Sequence, residues 1–168
     1  MYDLIIRGGT VVDGTGAPSR LADVAVSAGR IAAVGDDLGR AKREVDADGM
    51  LVSPGWVDIH THYDGQATWD PDMTPSSWHG VTTAVFGNCG VGFAPVRPGS
   101  EPYLINLMEG VEDIPEAVLS EGLDFQWESF ADYLNVLEAT PRVMDVGCLL
   151  YTSPSPRDAT LSRMPSSA

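Results

Sequence analysis

The chain has 168 residues, 43% of them hydrophobic and 20% charged, which is typical of one globular domain, or one and a fraction, rather than a disordered or fibrous protein. Its 10 basic and 24 acidic residues give a formal charge of −14, which argues against nucleic-acid or anionic-membrane partners. There is no apolar run of the roughly 20 residues that span a bilayer and no signal-peptide pattern. The two cysteines, Cys89 and Cys148, make no disulfide framework, so we expect a cytoplasmic protein.

Residues 1–55 contain short β-prone runs separated by turn signals such as Gly8-Gly9 and Asp13-Gly14, which predicts a small β domain. The expected strands lie at residues 4–6, 10–12, 22–26, 30–34 and 50–52. This segment by itself indicates no chemistry.

Residues 56–147 alternate between predicted strands and helices, which favours a parallel sheet or a barrel. Thr74 is expected to cap a helix that has Pro75 at its first position and ends before Gly80. The expected strands lie at residues 57–59, 81–86 and 142–146.

A second helix is predicted just before the third of these strands, where Ser129 and Asp132 form a capping box. Its expected apolar face consists of Phe130, Tyr133, Leu134 and Leu137. The stretch 90–125 is rich in glycine and acidic residues and gives no clear secondary-structure signal.

The first strand of this region carries the clearest chemistry. Because side chains alternate along a strand, Asp58, His60 and His62 share one face, while Val57, Ile59 and Thr61 lie on the other, where the two aliphatic residues are expected to pack against helices. Positions i and i+2 are roughly 6.6 Å apart, close enough for two imidazoles to converge on one ion or a metal pair. A carboxylate and two imidazoles suit a core poorly unless something binds them.

The alternative is that the two histidines are satisfied surface residues. The chain has only three histidines, and two of them follow a turn and a strand in this spacing, which favours zinc ligation. The third, His79, is better explained by a helix C-terminus or by packing than by a metal.

A cysteine follows the second strand, in the small-residue run Gly87-Asn88-Cys89-Gly90. Glycines let the backbone turn sharply and expose the thiol, and a cysteine at the carboxyl end of a barrel strand is well placed to ligate a metal as thiolate. From the residues alone, the more common explanation of a free cysteine, a small buried apolar residue, is favoured for Cys89.

The runs Asp3-Leu-Ile-Ile-Arg-Gly-Gly-Thr10 and Pro54-Gly-Trp-Val-Asp-Ile-His-Thr-His-Tyr-Asp64 resemble the amidohydrolase superfamily. The stretch 73–83, Gly87-Asn-Cys-Gly90 and Phe130-Ala-Asp-Tyr-Leu134 are similar to its N-acyl-D-amino-acid deacylase branch, the D-aminoacylases. The resemblance covers about residues 2–146 and is most specific between residues 54 and 95.

The resemblance implies a mixed α/β fold: a small N-terminal β domain (residues 1–55), followed by the first strands and helices of an incomplete (β/α)8 metal-dependent hydrolase barrel (residues 56–147). It implies His60, His62 and Cys89 as ligands of one or two zinc ions and a small-molecule N-acyl-D-amino acid as substrate. The general base of the family is an aspartate on a late barrel strand, and we find no counterpart of it here. The oligomeric state stays open.

Two aspartates near the HxH pair have less certain roles. Asp58 either orients one of the histidines from behind or caps a turn. Asp64 follows the pair at a spacing that the family shares, so it is a candidate for lining the substrate pocket.

The last 21 residues, 148–168, match the translation of a transposase adapter used for sequencing libraries, read in one frame across an eight-base index. We therefore interpret them as an artefactual disordered tail that packs against nothing, with Leu149, Leu150 and Tyr151 able at most to prolong the preceding strand. On this interpretation Cys148 has no functional weight.

The leading hypothesis is thus an N-terminal fragment of a zinc-dependent deacylase that is itself inactive. One alternative is a cyclic-amide hydrolase of the hydantoinase or dihydroorotase kind, in which a later lysine generally takes the place of Cys89. Another is a metal-binding fragment without catalysis.

Overall fold

Two units make up the chain, Met1–Pro54 and Gly55–Ala168. The computed structural model describes residues 1–88, 90, 92–112 and 114–149, and the fold is mixed α/β. Within these ranges no helix has the length and apolar character needed to cross a membrane.

The first unit is a five-stranded sheet built around its first strand. Its strands are β1 (Tyr2–Val11), β2 (Arg20–Ser27), β3 (Arg30–Gly35), β4 (Ala41–Asp46) and β5 (Leu51–Val52). β2 pairs antiparallel with both β1 and β3, whereas β4 and β5 pair parallel with β1. Val11, Ala22 and Val24 form the small buried cluster of this sheet.

The expected turn at Gly8-Gly9 is wrong, because the chain runs on through it as one strand. The register with β2 shifts between Ile6 and Gly9, and Gly8 has a φ of 65°, so the glycine pair forms a bulge. The carboxylate of Asp23 holds this bulge: it accepts hydrogen bonds from the Gly8 main-chain N–H at 2.9 Å and from Arg7 at 2.7 Å.

Strand β4 was not predicted, since its sequence is mostly charged. Its main chain pairs with β1, and ion pairs connect side chains of the two strands. The Arg7 guanidinium lies 2.8 Å from Glu44, and the Lys42 ammonium lies 2.7 Å from Asp3.

The second unit contains a three-stranded parallel sheet with the order β6-β7-β8. The strands are β6 (Trp56–Thr61), β7 (Val81–Phe86) and β8 (Asp145–Cys148). Two short 3₁₀ helices, Gln66–Thr68 and Ser76–His79, connect β6 to β7. Three helices, α1 (Glu101–Glu112), α2 (Glu116–Gly122) and α3 (Phe130–Ala139), connect β7 to β8. Parallel strands need such crossovers.

The helix expected after Thr74 is a 3₁₀ helix, and Thr74 does not cap it. The hydroxyl of Thr74 lies 3.3 Å from the carboxylate of Asp70, and Pro75 holds the N-cap position without a side-chain cap. The end of the helix is confirmed, because Gly80 takes the left-handed conformation with a φ of 84°.

The capping box of α3 is confirmed: Ser129 Oγ accepts from the Asp132 N–H at 3.1 Å, and the Asp132 carboxylate accepts from the Ser129 N–H at 3.0 Å. Tyr133 and Leu137 are buried as expected. The prediction for Leu134 is wrong, because its side chain is 43% exposed. The unassigned stretch 90–125 contains α1 and α2.

The third strand of this unit begins later than expected, at Asp145, and it ends at Cys148 rather than at Val146. The N–H of Val143 donates to the Pro71 carbonyl at 2.9 Å, which holds the chain in a bend before the strand. The prediction that no residue from 148 onward packs on the rest is therefore wrong for Cys148, which contacts the core. The tail from residue 150 onward lies outside the described residues.

The packing predicted for Val57 and Ile59 is also wrong. These side chains are 59% and 68% exposed, whereas Thr61 on the same face is buried. β6 is an edge strand of the sheet, and the described residues place no helix over this part of its face. The core of the unit lies instead around Ala84 and Phe86 of β7 and the helices that follow.

Candidate metal centre

The HxH pair lies at the carboxyl end of β6. His60 belongs to the strand, and His62 follows its last residue, Thr61. The parallel neighbour β7 ends at Phe86, which is the register partner of Thr61, so both strands finish at the same edge of the sheet. The Gly87-Asn88-Cys89-Gly90 run therefore starts beside the histidines.

The two imidazoles lie on the same side of the strand and face solvent. Their ring centroids are 5.6 Å apart, with the planes inclined by 33°. Zinc–nitrogen bonds of about 2.0–2.1 Å require two shared ligand atoms to lie within roughly 4 Å of each other. Rings at 5.6 Å can satisfy that requirement with one nitrogen from each, so the pair fits a divalent metal.

The third expected ligand, Cys89, lies outside the described residues. Among the residues that are described, no group of three or more histidine, cysteine or acidic side chains could hold a metal. The described part of the site is thus a histidine pair, and the trio of His60, His62 and Cys89 stays a prediction.

The strands are joined at this edge by two side chains that the sequence reasoning missed. The hydroxyl of Thr61 donates to the Val85 carbonyl at 3.0 Å, and the side-chain amide of Asn88 donates to the Ile59 carbonyl. The sequence places both residues close to the HxH pair and the cysteine, which could have drawn attention to them. Strand periodicity, however, predicts only which face a side chain lies on and does not identify its hydrogen-bond partner.

Asp58 makes a local contact. Its carboxylate accepts a hydrogen bond from the His60 main-chain N–H at 3.2 Å. This bond holds the backbone that carries the first histidine.

Asp64, two residues after His62 in the chain, is 1% exposed. Its main-chain carbonyl accepts a hydrogen bond from the Tyr133 hydroxyl at 2.6 Å. A Cβ added at Gly92 would stand 3.0 Å from Asp64 Oδ1, so a larger residue there would require the Asp64 side chain to shift. Asp64 also lines a cavity of about 180 Å³, together with Gly87, Gly90, Gly92 and Cys148.

Two further groups in this part of the fold, the Cys148 thiol and the Tyr133 hydroxyl, have raised pKa values. Burial is the main cause that raises the pKa of the Cys148 thiol to about 12, and the negative charge of Asp64 adds to it. Burial likewise raises the pKa of Tyr133 far above its usual value. Both groups are therefore protonated at neutral pH, and the Tyr133 hydroxyl acts as a donor.

The remaining histidine lies apart from this edge in the fold. His79 is the last residue of the 3₁₀ helix Ser76–His79 and is exposed. His79 lies two positions before Val81, the first residue of β7, and so at the amino end of that strand. The HxH pair lies at the carboxyl end of the neighbouring strand.

The chain belongs to the amidohydrolase family, whose family model matches residues 43–147. Among its curated relatives is a D-aminoacylase from Alcaligenes xylosoxydans xylosoxydans, which is 40% identical over 150 residues, 89% of this chain and 29% of that protein.

Solved structures give the same relationship. A D-aminoacylase whose binuclear metal centre has been studied matches with a TM-score of 0.74 and 44% identity, over 89% of this chain and 30% of that one. An N-acyl-D-glutamate deacylase from Bordetella bronchiseptica, complexed with zinc and a phosphonate inhibitor, matches with a TM-score of 0.72 and 32% identity, over 95% of this chain and 34% of that one. The chain spans about a third of the length of these relatives.

Proposed function

We propose that this chain contributes the first metal-binding strands of an N-acyl-D-amino-acid deacylase, a metal-dependent hydrolase of the amide bond in a small-molecule substrate. The observation that carries the proposal is the HxH pair at the shared carboxyl edge of β6 and β7, in a chain 40% identical to a D-aminoacylase. The active faces of (β/α)8 barrels lie at the carboxyl ends of their strands, so these strands are proposed to open an incomplete barrel.

His60, His62 and Cys89 are the proposed protein ligands of one or two zinc ions. When bound, zinc polarises the amide carbonyl and makes a water nucleophile available at neutral pH. The two imidazoles hold the metal as neutral ligands, so protonation of either one opposes binding. Asp58 fixes the His60 backbone through its hydrogen bond, and Asp64 lines a cavity together with Gly87, the first residue after β7.

The proposed reaction also needs a general base to take a proton from water and deliver it to the leaving amine. We assign no residue of this chain to that role. The proposed domain division, with residues 1–55 as part of a composite β domain and 56–147 as the barrel start, accords with the division of the chain after Pro54. A cytoplasmic location is part of the same proposal.

A chimera tests the function. Residues 1–147 replace the matching segment of the Alcaligenes D-aminoacylase, and release of D-methionine and L-methionine from their N-acetyl derivatives is measured with zinc present. We expect turnover of the D-substrate that the same chimera with His60→Ala loses. Equal rates on both enantiomers, or D-activity that survives His60→Ala, contradict the proposal.

A metal-binding measurement tests Cys89 separately in the 168-residue chain. Thiolate coordination to Co²⁺ gives a charge-transfer absorption that imidazole coordination lacks. We expect this band in the unaltered chain and its loss in Cys89→Ser, with Cys148→Ser as the matched control that retains it. A band that depends on Cys148 instead would assign the wrong cysteine.

A further inference from the structure

The register of β6 and β7 changes at the histidines. Asp58 pairs with Ala84 and Thr61 pairs with Phe86, so three steps along β6 correspond to two along β7. The additional residue makes a bulge that contains His60. Bulges disrupt the ladder of main-chain hydrogen bonds and re-aim side chains, so the direction of the imidazoles depends on what holds the bulge.

Two reciprocal hydrogen bonds span this bulge. Thr61 of β6 donates to the carbonyl of Val85 in β7, and Asn88, just after β7, donates to the carbonyl of Ile59 in β6. Each side chain thus donates to a main-chain carbonyl of the opposite strand. Thr61 is 7% exposed, so its bond is shielded from water and costs more to leave unmade.

Thr61 lies between the two histidines in sequence and on the opposite side of the strand. A rotation of its peptide units would therefore move both imidazoles. The hydroxyl bond to Val85 resists this rotation, and Asn88 holds the residue that precedes His60.

We propose that Thr61 and Asn88 form a cross-strand clamp that positions His60 and His62 as metal ligands. The metal part of this inference rests on the proposed function, whereas the arrangement of the imidazoles does not. Both are positioning residues, since they act through the histidines.

The metal-free 168-residue chain gives the first test. NMR cross-relaxation between the His60 and His62 ring protons is measured in the unaltered chain and in Thr61→Val, which keeps the shape and removes the hydroxyl. We expect the cross-peaks to be lost in Thr61→Val and Asn88→Ala, and to be kept in Thr61→Ser. The matched control is Thr83→Val on β7, whose partly buried side chain makes no hydrogen bond in the described part of the chain.

The second readout is the affinity for Co²⁺, measured by absorbance titration beside urea unfolding of each variant. Loss of residues that orient metal ligands typically costs about 10–100-fold in affinity. We expect this loss of Co²⁺ affinity in Thr61→Val, recovery of the affinity in Thr61→Ser and no change in Thr83→Val. The urea unfolding curves should show that each variant is folded under the conditions of the titration, so that unfolding does not account for the loss.

The outcomes separate the two proposals. If the unaltered chain and His60→Ala bind Co²⁺ equally weakly, the metal assignment fails, and the ring cross-peaks still decide whether the clamp exists. If Co²⁺ binds through His60 but Thr61→Val changes neither the affinity nor the cross-peaks, the clamp is wrong. A loss that Thr61→Ser fails to restore would also overturn it, because the hydroxyl would then not be the cause.

Discussion

The hydroxyl of Tyr133 donates a hydrogen bond of 2.6 Å to the main-chain carbonyl of Asp64, so helix α3 is tied directly to the loop that follows the HxH pair. The tyrosine is 1% exposed and packs against Trp127, with ring centroids 5.0 Å apart. Trp127 in turn donates to the Phe93 carbonyl at 2.7 Å. Tyr133 and Trp127 therefore link α3 to the loop after the HxH pair and to the main chain at Phe93.

Replacing Tyr133 with phenylalanine should destabilise the chain by about 1–2 kcal/mol, because it removes a buried hydrogen bond and keeps the ring. Urea unfolding followed by tryptophan fluorescence measures the change. Tyr103→Phe serves as the control, since that side chain is 70% exposed. Equal unfolding free energies for Tyr133→Phe and the control would contradict the expected role of the hydroxyl.

Asp70 should make the stability depend on pH. Burial, the largest single influence, raises its pKa, but hydrogen bonds from Gln66, Thr74 and Asp72 together bring the pKa below its usual value. A carboxyl group with a lowered pKa in the folded state stabilises fully above the unfolded-state pKa and loses that contribution as the pH falls through the folded-state value.

We therefore expect Asp70→Asn to have a lower urea unfolding midpoint than the unaltered chain at pH 7. The difference between the two midpoints should become smaller as the pH drops below about 4. Asp72→Asn is the matched control, because it removes an exposed carboxylate from the same loop. A difference that stays constant from pH 7 to pH 3 would rule out this linkage.

Strand periodicity correctly assigned the direction of the two histidines, because alternation is a local property of an extended chain. The same alternation failed for Val57 and Ile59, since burial depends on what covers a face and not on the strand itself. The capping box at Ser129 was readable because both partners lie within four residues.

The bonds that shape the site could not be read in this way. Tyr133 was assigned to an apolar face by its ring, and its hydroxyl bonds to a residue 69 positions earlier in the chain. The hydrogen bonds of Thr61 and Asn88 cross between β6 and β7 where the register shifts, between Asp58 and Thr61 of β6. A register shift arises from the pairing of two strands, and neither strand alone encodes it.

Cys148 gives opposite expectations from sequence and structure. An unstructured tail predicts ordinary thiol reactivity, whereas burial in β8 raises the pKa of the thiol to about 12. Since the thiolate is the reactive form, we expect Cys148 to react with iodoacetamide at pH 8 on the order of 10²–10³-fold more slowly than a free cysteine. The rate is measured in Cys89→Ser, with the same variant in urea as reference. Similar rates in buffer and in urea would favour the unstructured tail.

The 168-residue chain should be catalytically inactive by itself. We expect no turnover of N-acetyl-D-amino acids, even with zinc added, in contrast to the activity expected of the chimera with the Alcaligenes enzyme. Hydrolysis requires a metal in a shaped, water-excluding cavity, a base within hydrogen-bond reach and donors for the developing oxyanion. In the described part of the chain the two imidazoles are exposed to solvent, and β6 is an open edge of its sheet. The purified chain is assayed for D-methionine release beside its His60→Ala variant and a zinc-only blank. Turnover above the blank that His60→Ala abolishes would mean that these strands carry a complete catalytic site.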